Sequence, residues 1–233
     1  TSEARAFAPW LKGLVLPAFY AGSAAGAFFA PAAIARSTHV AAVAGFILMA
    51  VAATAGYALS DAPVLWVCLR FMAGFGLSGA FATVESWLNL GTKDDWRARV
   101  FSIYLMVQLG GLAAGQLLLN ARGFGNELLF LIASVLTLSA VGFLRFEVVE
   151  NPHFDAPQKM GLSRLFRRSP FGVSAVMLSG FAWAALMASG PALVELVGLS
   201  DFAKSMFMTL AIVSGVIAQF PVASLADRRD RRL

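Results

Sequence analysis

The sequence predicts an all-α polytopic membrane protein, and three observations support this prediction. Hydrophobic residues make up 59% of the 233 residues, charged residues only 13%, and the mean hydropathy is +0.74. A soluble domain usually carries about 25% charged residues to cover its water-facing surface. The apolar residues also gather into runs of about 20, the length that crosses a bilayer. Finally, basic residues concentrate in alternate connections between these runs.

Seven apolar runs are separated by polar clusters along the chain. Helices are expected for them because backbone polar groups in lipid must be hydrogen-bonded within their own segment. The runs also lack the alternating pattern, about ten residues long, of the strands in a membrane barrel. The predicted spans are residues 11–35, 39–60, 62–89, 98–120, 125–146, 170–198 and 202–225.

Basic residues divide the connections into two alternating sets. One set holds thirteen lysines and arginines and the other holds four, while Arg70 lies inside a span. Because basic residues favour the cytoplasmic side, residue 1 is predicted to lie outside and residue 233 in the cytoplasm. The net charge of +5 therefore reflects membrane topology, and no nucleic-acid partner is expected. The richer set is Arg36, Lys93, Arg97, Arg99, Arg145, Lys159, Arg164, Arg167, Arg168, Arg228, Arg229, Arg231 and Arg232, and the poorer set is Arg5, Lys12, Arg122 and Lys204.

Several other classes of membrane protein are disfavoured by the residues that the sequence lacks. A retinal protein needs a lysine in its last span for the Schiff base, and the last two spans carry only Lys204, at an edge. A membrane enzyme needs a nucleophile with a base or a set of metal ligands, and no such cluster is apparent. His39 and His153 fall in polar connections, where a lone histidine is usually solvated. Cys68 is the single cysteine of the sequence, so it has no second thiol with which to form a disulfide. No metal, cofactor or catalytic residue is expected.

The longest connection, about residues 147–169, follows the fifth span and carries both acidic and basic residues. Restoring one upstream helix gives a six-helix half, a cytoplasmic linker and the start of a second half, the organisation of membrane proteins built from two repeats. The predicted divisions are residues 1–147, 148–169 and 170–233. Within the linker, residues 161–168 place apolar side chains beside three arginines, and we expect an interfacial helix there against anionic lipid.

The third span carries the most informative motif, LRFMAGFGLSGAFATVESWLN. An arginine buried in a membrane costs from about 2.5 to more than 10 kcal/mol, so Arg70 should face a cavity or a partner. Gly74, Gly76 and Gly79 would let neighbouring helices approach and leave space beside the guanidinium. This string, R-x-x-x-G-x-G-x-x-G, resembles a motif in the fourth helix of many major facilitator superfamily transporters.

The resemblance implies that Arg70, with Gly74 and Ser78, lines a central cavity and takes part in proton coupling or in substrate binding. The alternative is that Arg70 pairs with a loop carboxylate or a lipid phosphate.

Three further residues are candidates for the same cavity. Gln108 and Gln116 share a face of the fourth span. They would either line the cavity or form hydrogen bonds between helices. The sixth span carries Trp183, which would either face the substrate or lie in a packed or lipid-facing position. A Gly-Pro pair follows it, and a kink or an end of the helix is expected there.

The end of the third span, ESWLN, and the segment that follows it are similar to one bacterial subgroup of the superfamily. In that subgroup, ESWLN is followed by a short loop, R-G-R and a fifth helix that opens with S-x-Y. Here Ala98 stands where the subgroup has glycine, and the matching residues are Arg97, Arg99, Ser102 and Tyr104. We expect Glu85 to pair with Arg97 or with Arg99 across the cytoplasmic surface, either as a gate or as a static brace.

Residues 223–232 resemble the superfamily's cytoplasmic loop motif, G-x-L-a-D-R-x-G-R-R. The matching residues are Leu225, Ala226, Asp227, Arg228, Arg231 and Arg232, while Ala223 and Asp230 replace the two glycines. A carboxylate near the positive end of a helix gains about 0.3–1 kcal/mol, so making and breaking this contact can bias a two-state equilibrium. The resemblance implies that Asp227 approaches the start of the fourth span near Arg99, and that Arg228, Arg231 and Arg232 belong to the same cytoplasmic gate.

Together these resemblances imply a fragment of the major facilitator fold that covers helices two to eight of a twelve-helix parent with two six-helix halves. Residues 1–147 would then hold helices two to six, and residues 170–233 helices seven and eight. The implied function is secondary active transport of a small solute by alternating access in a bacterial inner membrane, with proton coupling as a hypothesis that rests on Arg70. The expected partners are membrane lipid, an unidentified small molecule and protons. The alternative is a membrane sensor that keeps the fold without transporting.

Overall fold

The computed structural model describes residues 9–59, 62–118, 126–144 and 162–228, and short turns are the only connections between helices within these ranges. The helices are α1 (Pro9–Arg36), α2 (His39–Leu59), α3 (Pro63–Gly91), α4 (Asp94–Leu118), α5 (Asn126–Phe143), α6 (Leu162–Arg168), α7 (Pro170–Leu196) and α8 (Asp201–Arg228).

Five helices of the described ranges contain segments that are long and apolar enough to cross a bilayer. They are Gly13–Arg36, His39–Leu59, Pro63–Gly91, Asp94–Leu118 and Pro170–Leu196. Shorter apolar stretches, Leu128–Phe143 in α5 and Phe202–Gly215 in α8, lie at the two remaining predicted spans. The prediction of an all-α polytopic protein is therefore confirmed.

The helices begin and end at residues whose local chemistry favours those positions. Thr38 accepts a hydrogen bond at Oγ1 from the backbone N–H of Ala41, at 3.1 Å, and so caps the start of α2. Pro63 and Pro170 open α3 and α7, where the missing N–H of proline leaves no helical hydrogen bond unmade. After α7 the chain turns at Gly198, whose φ of +74° is a left-handed conformation that glycine adopts without a steric penalty.

The first of two compact units comprises residues Thr1–Arg97 and Gly123–Gln158, and therefore α1, α2, α3 and α5. Helix α3 packs against both α1 and α2, and α2 also packs against α5. Two buried clusters form the core of this unit. One is Ala53, Tyr57, Trp66, Leu69 and Ala73, and the other is Ala30, Ile34, Ala42, Phe46 and Ala80.

Glycines allow the backbones of α1 and α3 to approach each other closely. A Cβ added to Gly22 or Gly26 of α1 would overlap the carbonyl oxygen of Phe71 or Phe75, respectively, and one added to Gly74 would overlap that of Phe19. Small residues at helix crossings in membranes serve this purpose. The space beside the glycine motif of α3 is thus partly filled by the backbone of α1.

The face of α3 toward α2 is equally crowded. A Cβ on Gly76 would lie 2.6 Å from the Phe46 carbonyl oxygen and 2.7 Å from the Ala50 nitrogen. One on Gly79 would overlap the Phe46 ring. The three glycines that follow Arg70 therefore serve two helix contacts.

The second unit comprises residues Ala98–Arg122 and Lys159–Leu233, and so contains most of α4 together with α6, α7 and α8. Helices α7 and α8 pack as an antiparallel pair, in which Val194, Met208 and Ile212 are buried. Their connection is supported by an ion pair between Lys204 Nζ and Glu195 Oε2, at 3.0 Å. A kink or an end was expected at the Gly-Pro pair; helix α7 does not end there but continues through Pro191 to Leu196, and the kink stays a prediction. The division of the chain into residues 1–147, 148–169 and 170–233 stays a prediction.

Candidate functional site

Arg70 lies seven residues into α3, about 10 Å along the helix axis from its first residue. Its guanidinium carbon is 5.3 Å from the centroid of the Tyr57 ring on α2, a cation–π geometry. The Nε atom is buried and forms no hydrogen bond with any described residue. The partner that the described part of the chain offers to this half-buried cation is therefore an aromatic face and not a carboxylate.

Tyr57 belongs to an aromatic cluster, which we define as Tyr57, Trp66 and Phe130. Its three ring centroids are 5.0, 5.2 and 6.0 Å apart, within the range of favourable aromatic pairs. Tyr57 and Trp66 are buried, Phe130 is partly buried, and the three come from α2, α3 and α5. The cluster therefore joins three helices of the first unit beside Arg70.

The buried hydroxyl of Tyr57 has no hydrogen-bond partner among the described residues. Two polar atoms of neighbouring side chains, this hydroxyl and Arg70 Nε, are thus buried and unpaired within the described ranges. An unpaired buried polar group costs about 1–3 kcal/mol, so such atoms call for an explanation.

Of the other predicted cavity residues on α3, Gly74 is buried at the contact with α1, one helical turn from Arg70. Ser78 is half-buried on the same helix. The remaining candidates belong to helices of the second unit. Gln108 and Gln116 are half-buried on α4, and Trp183 on α7 is 39% exposed.

His39 is buried, so the prediction that it is solvated in a polar connection is wrong. It is the first residue of α2, only 1% exposed, and its Nε2 lies 3.3 Å from Ser86 Oγ. Its ring centroid is also 6.1 Å from that of Trp87. The short turn after Arg36 explains the difference, because it brings the start of α2 directly against the ESWLN end of α3.

Arg97, one of the two expected partners of Glu85, pairs elsewhere. Its guanidinium lies 2.7 Å from Asp94 Oδ1, one turn earlier in α4, and donates a hydrogen bond to the Thr92 carbonyl oxygen at 3.4 Å. Asp94 is in the first turn of α4, where a carboxylate is favoured by the helix dipole. Glu85 and Arg99 are both exposed, and their pairing stays a prediction.

The second part of the predicted gate falls at the C-terminal end of α8. The helix runs through Asp227 and Arg228, whose side chains lie outside the described residues. Arg231 and Arg232 lie outside them altogether. The role of these four residues stays a prediction.

The described ranges contain no group of three or more His, Cys, Asp or Glu residues that could hold a metal ion. Cys68 is an exposed free thiol. The aromatic cluster is the feature that sequence reasoning missed. Its only signal is the placement of Tyr57 and Trp66 on either side of the short connection between two predicted spans.

Comparison with known proteins gives one consistent family. The sequence pattern of the Major Facilitator Superfamily matches residues 4–233. An uncharacterized MFS-type transporter of Enterobacter sp. strain 638 is 27% identical over 229 residues, and the MFS-type transporter YcaD of Salmonella arizonae is 26% identical over 228. The MFS-type transporter YE1530 of Yersinia enterocolitica is 31% identical over 234 residues.

Each of these three alignments covers 96% of this chain and 59% of the relative. The chain thus spans about three fifths of the length of the curated relatives that it matches. The helices long enough to cross a bilayer, the match across nearly all of the sequence and the greater length of the relatives agree with one another. The chain is a multi-pass membrane protein that belongs to the Major Facilitator Superfamily.

Proposed function

We propose that this chain is part of a secondary active transporter, which moves a small solute across a bacterial inner membrane by alternating access. The chain would supply helices two to eight of a parent with two six-helix halves. Membership of the superfamily supports transport rather than catalysis. The lengths of the relatives support a longer parent. The orientation, with residue 1 outside and residue 233 in the cytoplasm, rests on the distribution of basic residues.

The observation that carries the proposal is the placement of Arg70, a half-buried arginine within a span, stacked on Tyr57 with an unpaired Nε among the described residues. Intramembrane charges are expensive and are usually functional. An aromatic face stabilises the guanidinium without neutralising it, so the positive charge remains available to an anionic group. In this proposal Arg70 acts electrostatically in the cavity. The other proposed cavity residues are Gly74 and Ser78 on the same helix, and Gln108, Gln116 and Trp183.

Proton coupling at Arg70 would have to be indirect. A guanidinium stays protonated in proteins, so Arg70 itself cannot carry the proton. Instead, its charge would favour the ionised form of an acidic solute or of a nearby carboxylate in the parent protein. Arg70 would thereby link the protonation of that group to the binding of the solute.

The proposed cytoplasmic gate consists of Glu85 and Arg99 together with Asp227, Arg228, Arg231 and Arg232. Its physical basis is a set of charge contacts that are made in one conformation and broken in the other. Arg97 enters this gate only if its ion pair with Asp94 is exchanged for another.

Arg70→Ala in the full-length protein tests the proposal. The purified protein is reconstituted into vesicles that contain a pH-sensitive dye, and a panel of small anionic, neutral and cationic solutes is added outside. Wild-type vesicles should show a solute-driven pH change with at least one solute, and Arg70→Ala should abolish it because the cavity loses its fixed positive charge.

Arg36→Ala is the matched control, since Arg36 is an exposed arginine at the end of α1. It should leave the signal intact. A signal that survives unchanged in Arg70→Ala would overturn the role of Arg70. Saturable binding of a solute by the wild-type protein without any flux of that solute would favour a membrane sensor instead.

A further inference from the structure

Helix α6 (Leu162–Arg168) is separated from a membrane span by a single residue. It ends at Arg168, and α7 begins at Pro170. Ser169 forms a backbone hydrogen bond with each helix: its N–H donates to the Leu165 oxygen of α6 at 3.0 Å, and its oxygen accepts from Val173 N of α7 at 3.1 Å. Because α7 is long and apolar enough to cross a bilayer, the position of α6 is set close to the membrane surface.

The side chains of α6 are divided by polarity around the helix axis. At about 100° per residue, Arg164, Arg167 and Arg168 fall within an arc of about 100°, and Leu165 and Phe166 project from the opposite side. Leu165 is 42% exposed and Phe166 is 49% exposed. An exposed apolar face opposite a basic face is typical of a helix that lies in the plane of a membrane interface.

The three arginines of α6 are exposed, and none forms an ion pair or a side-chain hydrogen bond with another described residue. They therefore present a concentrated positive charge at the position where phospholipid head groups begin. The neighbouring Phe171, in the first turn of α7, is 86% exposed and adds an exposed apolar side chain next to α6.

We infer that α6 forms a binding surface for anionic phospholipids, with Arg164, Arg167 and Arg168 bound to head-group phosphates and Leu165 and Phe166 inserted among the upper acyl segments. Guanidinium groups suit this ligand because they can donate paired hydrogen bonds to phosphate oxygens. Electrostatic attraction of basic residues to an anionic leaflet adds to the gain from apolar insertion. The inference does not depend on which solute, if any, the protein transports.

A fluorescent label next to α6 can measure this preference directly. Ser163 is exposed, and its position lies between the apolar and the basic arcs. In full-length protein with native cysteines, including Cys68, replaced by serine, Ser163→Cys is labelled with a small fluorophore. The protein is reconstituted into two sets of phosphatidylcholine vesicles. One set contains spin-labelled phosphatidylglycerol as quencher, and the other contains the same fraction of spin-labelled phosphatidylcholine.

Phosphatidylglycerol should quench the label several-fold more strongly than phosphatidylcholine does, because basic residues concentrate anionic lipid locally. In R164Q/R167Q/R168Q the ratio of the two quenching constants should fall to about one. The variant with three Arg→Lys changes should keep part of the preference, and raising the salt concentration should weaken it.

A double variant, R36Q/K93Q, is the matched control, because it removes basic residues that lie outside α6 and are exposed. It should keep the wild-type ratio. A ratio of about one in the protein with all three arginines, or a high ratio that persists in the triple glutamine variant, would overturn the inference. So would a label that neither lipid quenches, because α6 would then lie away from the membrane.

Discussion

At the scale of single residues, Arg70 shows how a charge is accommodated inside a membrane span. Its guanidinium lies 5.3 Å from the centre of the Tyr57 ring, and the ring itself is held by Trp66 and Phe130. A cation–π contact is worth about 0.5–2 kcal/mol, increasing with desolvation. This energy offsets only part of the burial penalty of an arginine, which leaves Arg70 able to gain from an additional anionic partner.

Substitutions of Tyr57 separate the contribution of its ring from that of its hydroxyl. Tyr57→Leu should destabilise the full-length protein by about 1–3 kcal/mol, because it removes contacts with two rings and a guanidinium. Tyr57→Phe should not destabilise the protein and should raise its stability by up to about 3 kcal/mol, since it removes a buried hydroxyl that has no partner among the described residues. Thermal unfolding in detergent, followed by circular dichroism, measures both. An equal loss of stability in the two variants would show that the hydroxyl is paired in the intact protein.

His39 is a second residue whose surroundings could not be predicted from the sequence. The three residues before it are polar, as in a solvated connection, yet its ring is buried against Ser86 and Trp87. The residues that bury it lie about 47 positions away, so no local pattern reports the contact. Residue type and spacing predict helices, whereas the partners of a polar side chain depend on how those helices pack.

At the scale of elements, α3 is the helix around which the first unit packs. Gly74 faces α1, while Gly76 and Gly79 face α2, so one short motif serves two interfaces. Because lipid supplies no hydrophobic driving force between helices, close packing and small residues have to hold such an interface together.

Substituting Gly74 should therefore separate α1 from α3. Gly74→Ala places a methyl group against the carbonyl of Phe19, an atom that can move only if the helices shift. We expect the thermal midpoint to fall by several degrees, as for about 1–3 kcal/mol of overpacking. Gly110→Ala on α4 is the control, since a Cβ there has nothing within 4 Å, and it should leave the midpoint nearly unchanged. Equal midpoints for both variants would contradict the close α1–α3 crossing.

The ends of the elements were predictable where the local chemistry is specific. Proline at the start of α3 and α7, threonine before α2 and glycine after α7 each favour the boundary at which they occur. The aromatic cluster was not predictable, because Tyr57 and Phe130 are separated by 73 positions and meet only through the packing of α2 on α5. For the same reason, the part of the proposed site that depends on contacts between distant helices could not be predicted from the sequence.

At the scale of the whole molecule, the chain is a multi-pass membrane protein of the Major Facilitator Superfamily and matches 59% of the length of its curated relatives. The spans were predictable because runs of about 20 apolar residues have few stable alternatives to helices in a membrane. In the proposed topology, residue 1 lies outside, residue 233 lies in the cytoplasm and α7 begins on the cytoplasmic side. The positions of the gate and of the α6 surface follow from it.

Cysteine accessibility in intact cells tests that topology most directly. Ser37, between α1 and α2, and Ser200, between α7 and α8, are both exposed residues of short connections. Each is changed to cysteine in full-length protein without other cysteines, and the cells are treated with a membrane-impermeant thiol reagent. We expect Ser200→Cys to be labelled in intact cells and Ser37→Cys to be labelled only after permeabilisation. Labelling of Ser37→Cys in intact cells, with Ser200→Cys protected, would contradict it.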